Sequence, residues 1–127
     1  MRTGKEKRDL GRYGEQVAEQ FLRTQRYEIL ARNYRCAYGE MDLVARDGDT
    51  LVFVEVRTQS GPTFGDPLES VTSRKQRQIA KAALHYVVRH QIGQQAMRFD
   101  VIGISWQDTV PRITHVRGAF ELPSSRW

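Results

Sequence analysis

Apolar and polar positions alternate through the middle of the chain, as is typical of β-strands. Two alternating runs, residues 39–46 and 51–58, are separated by the turn sequence Asp-Gly-Asp-Thr at 47–50, and this pattern predicts a β-hairpin. In the second run the three valines share one face, while Glu55 and Arg57 share the other. Glu55 and Arg57 therefore lie on the same face whatever the register of the hairpin.

The register of the hairpin decides what lies opposite Glu55. A two-residue turn with Gly48 first places Asp42 opposite Glu55. A three-residue turn would place Asp42 opposite Val54, because a slip of one residue reverses the faces. Like charges directly opposite each other destabilise a sheet, since their Cβ atoms are only about 5 Å apart. We therefore expect a cation between Asp42 and Glu55, and Mg²⁺ is suitable because one or two carboxylates can hold it.

Apolar residues at helical spacing predict two helices. The first runs from about Arg12 to Gln25, and the second runs from Ser73, which opens a capping-box pattern, to about His90. Further strands are predicted at about residues 27–35, 98–105 and 112–116. The order α-β-β-β-α-β-β indicates an α/β fold with a mixed sheet, in which the helix crossover makes the fourth strand parallel to the third.

Length and composition suit a single globular domain over residues 1–127, with 39% hydrophobic and 28% charged residues. We expect a flexible basic arm at about 1–10, a flexible tail at about 123–127 and a Gly- and Pro-rich loop at 60–67. A single cysteine excludes an internal disulfide and offers no zinc spacing with the three histidines. No apolar run approaches the roughly 20 residues that span a bilayer, and no secretory signal is present, so a cytoplasmic location is expected.

The net charge of +5 favours a polyanionic partner. The basic residues have no continuous amphipathic face of Trp, Phe and Leu beside them, so nucleic acid, in the simplest case DNA, is favoured over a membrane surface. Candidate nucleic-acid contacts lie on the first helix and at the start of the second: Arg12, Arg74, Lys75, Arg77 and Lys81.

The hairpin acids and their neighbours each admit a structural alternative. Asp42 alone would serve as an edge-strand charge, and Glu55 alone as half of a salt bridge. Glu55 lies among valines, however, where an unpaired carboxylate is costly to bury, so a metal ion is an equally good partner for the pair. The backbone carbonyl of Val56 could be a further oxygen ligand.

Three more residues could complete such a site. Arg57 could hold a phosphate through its planar fork of donors, or simply pair with Glu55. Lys75, in the first turn of the second helix, could bind a phosphate or lie on a solvated helix face. Glu15, beside the apolar stripe of the first helix, could supply a third carboxylate, orient a water molecule or face solvent.

Several short segments together resemble one known family. They are Gly14-Glu15, the GEMDLVA run at 39–45, the VFVEVR run at 52–57, Gly65-Asp66-Pro67 followed by Lys75-Gln76, and Phe99-Asp100-Val101. This combination resembles the YraN-like family of uncharacterised proteins, from about residue 11 to about residue 120. The resemblance implies a restriction-endonuclease-like fold of the PD-(D/E)xK nuclease superfamily, similar to the archaeal Holliday-junction resolvases.

The resemblance also implies roles for individual residues. Glu15 matches the helical acid, Asp42 the first metal-binding aspartate and Glu55 the second acid. Arg57 stands where the superfamily has a lysine that is thought to position or activate the attacking water. Arginine there could stabilise charge but could not accept a proton, because guanidinium stays protonated in proteins. Lys75 could compensate from the second helix.

The leading hypothesis is therefore a Mg²⁺- or Mn²⁺-dependent nuclease that hydrolyses phosphodiester bonds in DNA, branched or repair intermediates included. The catalytic set would be Glu15, Asp42, Glu55, Arg57 and Lys75, with metal at Asp42, Glu55 and the Val56 carbonyl. A noncatalytic nucleic-acid-binding or scaffold protein is the alternative that Arg57 favours, and a protein-interaction module in DNA processing would bind neither metal nor nucleic acid. A symmetric dimer would suit the cleavage of two strands.

Overall fold

The chain is seen here in a computed structural model, which describes residues 4–59 and 65–121, with the backbone alone for 4–10 and Gln107. The helices and strands, in chain order, are α1 Gly4–Thr24, β1 Glu28–Cys36, β2 Gly39–Asp47, β3 Thr50–Gln59, a 3₁₀ helix Pro67–Ser70, α2 Ser73–Arg89, β4 Met97–Gln107 and β5 Val110–Phe120. The expected order of two helices and five strands is confirmed, and the 3₁₀ helix is added to it.

The five strands form one mixed sheet in the order β1-β2-β3-β4-β5. Strands β3 and β4 pair in parallel, and every other neighbouring pair is antiparallel. The connection through α2 accounts for the single parallel pair, since parallel strands need a crossover while antiparallel strands can be joined by a tight turn. The protein is thus α/β, with the sheet flanked by two helices as in restriction-endonuclease-like folds.

Both faces of the central strand β3 are buried, and each face packs on a different helix. Val52 and Val54 join the core cluster that contains Ala18 and Leu22 of α1. Phe53 joins the cluster on the α2 side. Glu55 follows Phe53 on the α2 face by strand alternation, so the sheet carries this carboxylate into the interior beside α2.

The β2–β3 hairpin has the two-residue turn that places Asp42 toward Glu55. Asp47 pairs with Thr50, and Gly48 has a φ of 60°, a conformation that glycine adopts readily. The predicted register is confirmed, and the three-residue alternative is wrong. The backbone pairing between the two strands ends at Leu43 and Val54, one residue before Asp42 and Glu55 would pair.

Helix α1 is longer than its apolar spacing indicated. It begins at Gly4, so residues 4–10 of the expected arm at about 1–10 are helical, whereas residues 1–3 lie outside the described residues. Residues 4–10 are mostly Lys, Glu and Arg, which favour helix but carry no apolar periodicity that would reveal it. The expected tail at 123–127 and most of the loop at 60–67 lie outside the described residues. Within the described ranges, no helix is both long enough and apolar enough to cross a membrane.

The N-cap of helix α2 differs from the predicted one by one residue. Thr72, not Ser73, is the N-cap, and its hydroxyl accepts a hydrogen bond from the Lys75 N–H at 3.1 Å. The preceding 3₁₀ helix ends at Ser70 and is itself capped by Asp66. The cap at Thr72 sets the direction of the first turn of α2, which contains Lys75.

The close approach of α1 to β3 generates a stability prediction. A Cβ at Gly14 would lie 2.1 Å from Thr58 Cγ2, so Gly14→Ala must displace the helix or the threonine. We expect the free energy of unfolding to fall by about 1–3 kcal/mol in urea denaturation. Gly11→Ala on the same helix meets no atom within 4 Å and should be neutral or slightly stabilising. Equal effects of the two substitutions would contradict this packing.

Candidate functional site

Asp42 and Glu55 meet where the β2–β3 backbone pairing stops. The Asp42 carboxylate takes the place of a ladder acceptor, since its Oδ2 accepts a hydrogen bond from the Val56 N–H at 2.7 Å. The Asp42 and Glu55 carboxyls lie close enough together to perturb each other's pKa. Glu55 is only 5% exposed. Two neighbouring carboxylates repel each other when both are ionised, so the pair favours either a proton or a cation.

Burial dominates the electrostatics of this pair. Loss of solvent, with the neighbouring charge of Asp42, raises the pKa of Glu55 to about 8. Burial also raises the pKa of Asp42, against the opposing effect of the Val56 N–H. A carboxyl pair in this state takes up one proton near neutral pH, or a cation in its place.

Two basic side chains approach the outer oxygen of Glu55. Arg57 Nε lies 3.8 Å and Lys75 Nζ lies 4.0 Å from Glu55 Oε2, so both attract the carboxylate without a short hydrogen bond. The Arg57 guanidinium is anchored by donation to the Ser70 carbonyl at 3.0 Å. Arg57 Nε is buried and has no hydrogen-bond partner in the described part of the chain. A buried donor left without a partner indicates that an acceptor is missing beside Glu55.

Glu15 lies on α1 close to Asp42 but does not join the pair in a shared ligand set. Burial, together with the charges of Asp42 and Glu40, raises the pKa of Glu15 to about 7, while Arg12 lowers it. Among residues 4–59 and 65–121, no three Asp, Glu, His or Cys side chains are arranged to hold a metal ion. The sequence-based expectation of Glu15 as a third metal carboxylate therefore finds no support in this geometry, whereas a role in orienting water remains compatible with it.

Asn33 connects Glu15 to Glu40, and the sequence did not single out either Asn33 or Glu40. In the orientation that satisfies its amide, Asn33 donates to Glu15 Oε1 at 2.9 Å and to Glu40 Oε1 at 3.0 Å. Asn33 has a φ of 50° inside β1, which asparagine tolerates better than most residues. An asparagine within a strand pattern was the only sequence signal for this contact.

The donor set fits a hard divalent cation such as Mg²⁺. Asp42 and Glu55 supply carboxylate oxygens, and the carbonyl of Val56 points to the same side of β3 as its N–H, toward Asp42. The β2–β3 pairing has already ended at this point, so the strand β2 backbone does not pair with that carbonyl. Mg²⁺ usually takes one or two carboxylates and leaves its other positions to water and substrate phosphate. Two carboxylates, without a third side-chain ligand among the described residues, agree with this usual coordination of Mg²⁺.

Asp100 on β4 shows how the same fold neutralises a buried acid with protein groups alone. It is 1% exposed and accepts hydrogen bonds from Arg98 Nε at 2.8 Å, His115 Nε2 at 2.7 Å and Gly118 N–H at 3.0 Å. Burial raises the pKa of Asp100, but these donors outweigh it and bring the pKa below its usual value. Within residues 4–59 and 65–121, Asp42 and Glu55 have no comparable set of donors.

The other predicted basic residues lie on the two helices. Lys75 turns toward Glu55, whereas Arg74, Arg77 and Lys81 lie on the exposed face of α2. Arg12 is exposed on α1 and lowers the pKa of Glu15, so it lies near the same site. The predicted cations thus lie on α1 and α2, where Arg12 acts on the pKa of Glu15 and Lys75 lies beside Glu55.

Removing the charge of Glu55 and removing the charge of Asp100 should have opposite effects on the free energy of unfolding. Glu55 keeps its proton in the folded state up to a pKa of about 8, whereas the unfolded group releases it near 4.5. The folded state therefore loses stability as pH rises between these values, and Glu55→Gln removes that loss. We expect Glu55→Gln to raise the free energy of unfolding by roughly 1–3 kcal/mol in EDTA above pH 8, because one pKa unit corresponds to about 1.4 kcal/mol.

Asp100→Asn is the matched control for Glu55→Gln. The folded pKa of Asp100 is lowered, so its ionised form stabilises the fold above its ordinary pKa of 3.8, and this contribution is lost as pH falls. Under the same conditions we expect Asp100→Asn to lower the free energy of unfolding by about 2–5 kcal/mol, because its donors lose their charged acceptor. Destabilisation by both substitutions would show that Glu55 is already neutralised by the protein.

Comparison with other sequences identifies the relatives of this chain. A family model described as "Uncharacterised protein family UPF0102" matches residues 14–104. UPF0102 proteins of Geobacter metallireducens and Acidothermus cellulolyticus are 49% identical over 115 residues and 45% identical over 129 residues. These matches cover 91% and 93% of this chain, and 94% and 98% of the relatives. UPF0102 is the YraN-like group that the sequence motifs resemble, and the chain belongs to this uncharacterised family.

Proposed function

We propose that the protein is a metal-dependent nuclease that hydrolyses phosphodiester bonds in DNA. The observation that carries this proposal is the close approach of buried Glu55 and half-buried Asp42, whose pKa values are both raised, beside a buried arginine nitrogen that has no partner in the described part of the chain. A divalent cation would neutralise the acids, and a phosphate oxygen would satisfy the arginine. A phosphodiester bound to a metal site would supply both the cation and the phosphate oxygen.

Each side chain has a role that follows from its position. Asp42, Glu55 and the Val56 carbonyl would hold the cation, which would lower the pKa of a bound water and stabilise charge on the phosphate. Arg57 is anchored at Ser70, and its Nε, which has no partner among the described residues, would bind a phosphate oxygen. It cannot take a proton, because guanidinium remains charged.

Lys75 and Glu15 are the groups that could move a proton. Lys75 Nζ lies beside Glu55 and belongs to the first turn of α2, so it reaches the phosphate from the side opposite α1. Glu15, whose pKa is raised to about 7, can orient a water or accept its proton near neutral pH. Arg12, Arg74, Arg77 and Lys81 would bind the DNA backbone, which gives an affinity that depends on salt more than on sequence.

A noncatalytic nucleic-acid-binding protein is the second candidate, and one observation favours it. Asp42 and Glu55 lie side by side with raised pKa values, so the pair can persist with one proton and without metal. Arg57 in place of the superfamily's lysine fits that arrangement as well. A protein-interaction module would bind neither metal nor DNA.

A cleavage assay separates these functions. Purified protein is incubated with plasmid, single-stranded and four-way-junction DNA in Mg²⁺, Mn²⁺ or EDTA. We expect cleavage in the metals alone, and a loss of about 100-fold or more in Asp42→Asn and Glu55→Gln, because each removes a charge that holds the cation. Glu28→Gln is the matched control, since Glu28 is an exposed strand carboxylate that pairs with Arg46.

Each outcome of this assay supports a different one of the candidate functions. Cleavage that survives both substitutions would overturn the site assignment. DNA binding without cleavage in any metal would establish the noncatalytic protein, and a lack of binding would leave the interaction module. A rise in melting temperature with Mg²⁺ that Glu55→Gln abolishes would confirm the metal site independently of turnover.

The different proposed roles of Arg57, which binds phosphate, and Lys75, which exchanges a proton, lead to a kinetic prediction. Lys75→Arg keeps the positive charge but cannot exchange a proton, so we expect KM to stay close to the wild-type value and kcat to fall by about 100- to 10,000-fold. Arg57→Lys retains a phosphate-binding charge and should change kcat by less than about tenfold. Circular dichroism checks that both variants fold. A wild-type kcat in Lys75→Arg would show that Lys75 contributes charge alone.

A further inference from the structure

The exposed face of α2 carries two adjoining cavities that share Tyr38 and Lys81. The cavity nearer the start of the helix has a volume of about 280 Å³ and is lined by Tyr38, Arg74, Arg77, Gln78 and Lys81. The next has a volume of about 370 Å³ and is lined by Tyr38, Lys81, Leu84, His85 and Val88. A basic cavity and a largely apolar cavity thus adjoin at Tyr38 and Lys81.

The backbone holds Tyr38 in this position. Gly39, with a φ of 128°, packs so closely on α2 that a Cβ there would lie 2.4 Å from Gln78 Nε2. This contact joins the β1–β2 turn to the helix and brings Tyr38 beside His85, with their ring centroids 6.4 Å apart in an edge arrangement. His85 is hydrogen-bonded to the Tyr34 hydroxyl at 2.6 Å. The Tyr38 side chain remains 49% exposed, so an aromatic surface is held in place and open to solvent.

The surroundings of Tyr38 offer separate surfaces to an anion and to a planar apolar group. Within residues 4–59 and 65–121, Arg74, Arg77 and Lys81 take part in no ion pair. On the other side of Tyr38, Leu84 is 39% exposed and Val88 is 68% exposed. Cations that form no ion pair with the described residues, beside exposed apolar and aromatic groups, match the two halves of a nucleotide, its phosphate and its base.

We propose that this surface binds an unpaired nucleotide of a nucleic-acid strand. The phosphate lies against Arg74, Arg77 and Lys81, and the base stacks on Tyr38 in the cavity formed by Leu84 and Val88. A base in an intact duplex is covered by its neighbours and its partner, so it cannot enter this cavity without being displaced. The substrate class that follows is a strand with an unpaired segment, as in a single strand, a flap or a distorted duplex.

The position of this surface relates it to the proposed catalytic site, and the inference about substrate rests on that proposed function. Lys75 and Lys81 are six residues apart on one helix, a separation of about 9 Å along its axis. A stacked strand advances about 3.4 Å per nucleotide, so the unpaired nucleotide would lie roughly two to three nucleotides from the phosphate at Glu55. Binding at Tyr38 itself involves neither Asp42 nor Glu55.

Fluorescence anisotropy in EDTA tests the binding without any metal-dependent step. The probes are a labelled DNA strand, the blunt duplex of the same sequence and the corresponding RNA strand. We expect the wild-type protein to bind the single strands more tightly than the duplex. Tyr38→Ala should weaken single-strand binding by roughly 5- to 150-fold, the range for loss of one base–aromatic stack, while leaving duplex binding unchanged.

Matched variants separate stacking from charge and from folding. Tyr38→Phe keeps the ring and should bind like the wild type, and Val88→Glu should reproduce the single-strand defect from the other wall of the cavity. Arg77→Gln should weaken binding to single strand and duplex alike and reduce the slope of log affinity against log salt by about one. Tyr13→Ala is the control, since Tyr13 is 53% exposed on α1, stacked on Trp106 and distant from these cavities.

Three results would overturn the inference: equal single-strand and duplex affinity in the wild type, no effect of Tyr38→Ala, or no binding of any probe. The last result would leave the surface to a protein partner. Failure of the nuclease proposal is distinguishable, because a protein that binds single strands through Tyr38 but cleaves nothing in Mg²⁺ or Mn²⁺ refutes the nuclease and leaves this binding site in place. Tight binding of the RNA strand alone would restrict the substrate to RNA.

Discussion

The Asp42 and Glu55 carboxylates touch where the β2–β3 backbone pairing stops, and the surrounding site reflects the cost of keeping two acids there. Asp42 satisfies the Val56 N–H that the ladder leaves free, so the local backbone requires an acceptor at this point. Glu55 lies between two valines in a central strand, and the alternation of side chains along that strand directs Glu55 into the interior. Burial raises the pKa of both carboxyls, and at Asp42 the hydrogen bond from the Val56 N–H only partly offsets this effect.

The fold contains two solutions to the problem of a buried carboxylate. Around Asp100, an arginine, a histidine and a backbone N–H supply enough donors to hold the ionised form. Around Asp42 and Glu55, the nearest cations remain 3.8 and 4.0 Å away, and a buried arginine nitrogen has no partner in the described part of the chain. The first arrangement is complete within the protein and is structural. The second is completed by a proton or by a ligand, and this is why we assign function to it.

Helix α2 connects the proposed chemistry to the proposed binding. The Thr72 cap fixes its first turn, from which Lys75 reaches Glu55, while Arg74, Arg77 and Lys81 lie on the exposed face. Gly39 packs against the Gln78 side chain of the same helix, and the neighbouring Tyr38 lies against His85. A rigid element that carries both sets of side chains maintains the distance between them, as accurate placement of a strand over a cleavage site requires.

The sequence alone determined what depends on periodicity within one element. Alternation placed Glu55 and Arg57 on one face, Gly48 predicted the turn that directs Asp42 toward Glu55, and the motifs indicated the family. Only the tertiary structure decided which elements approach one another: it places Lys75 against Glu55, Asn33 between Glu15 and Glu40, and Tyr38 beside α2. The physical reason is that side-chain direction repeats along a strand or helix and can be read locally, whereas distances between elements follow from how their buried faces pack.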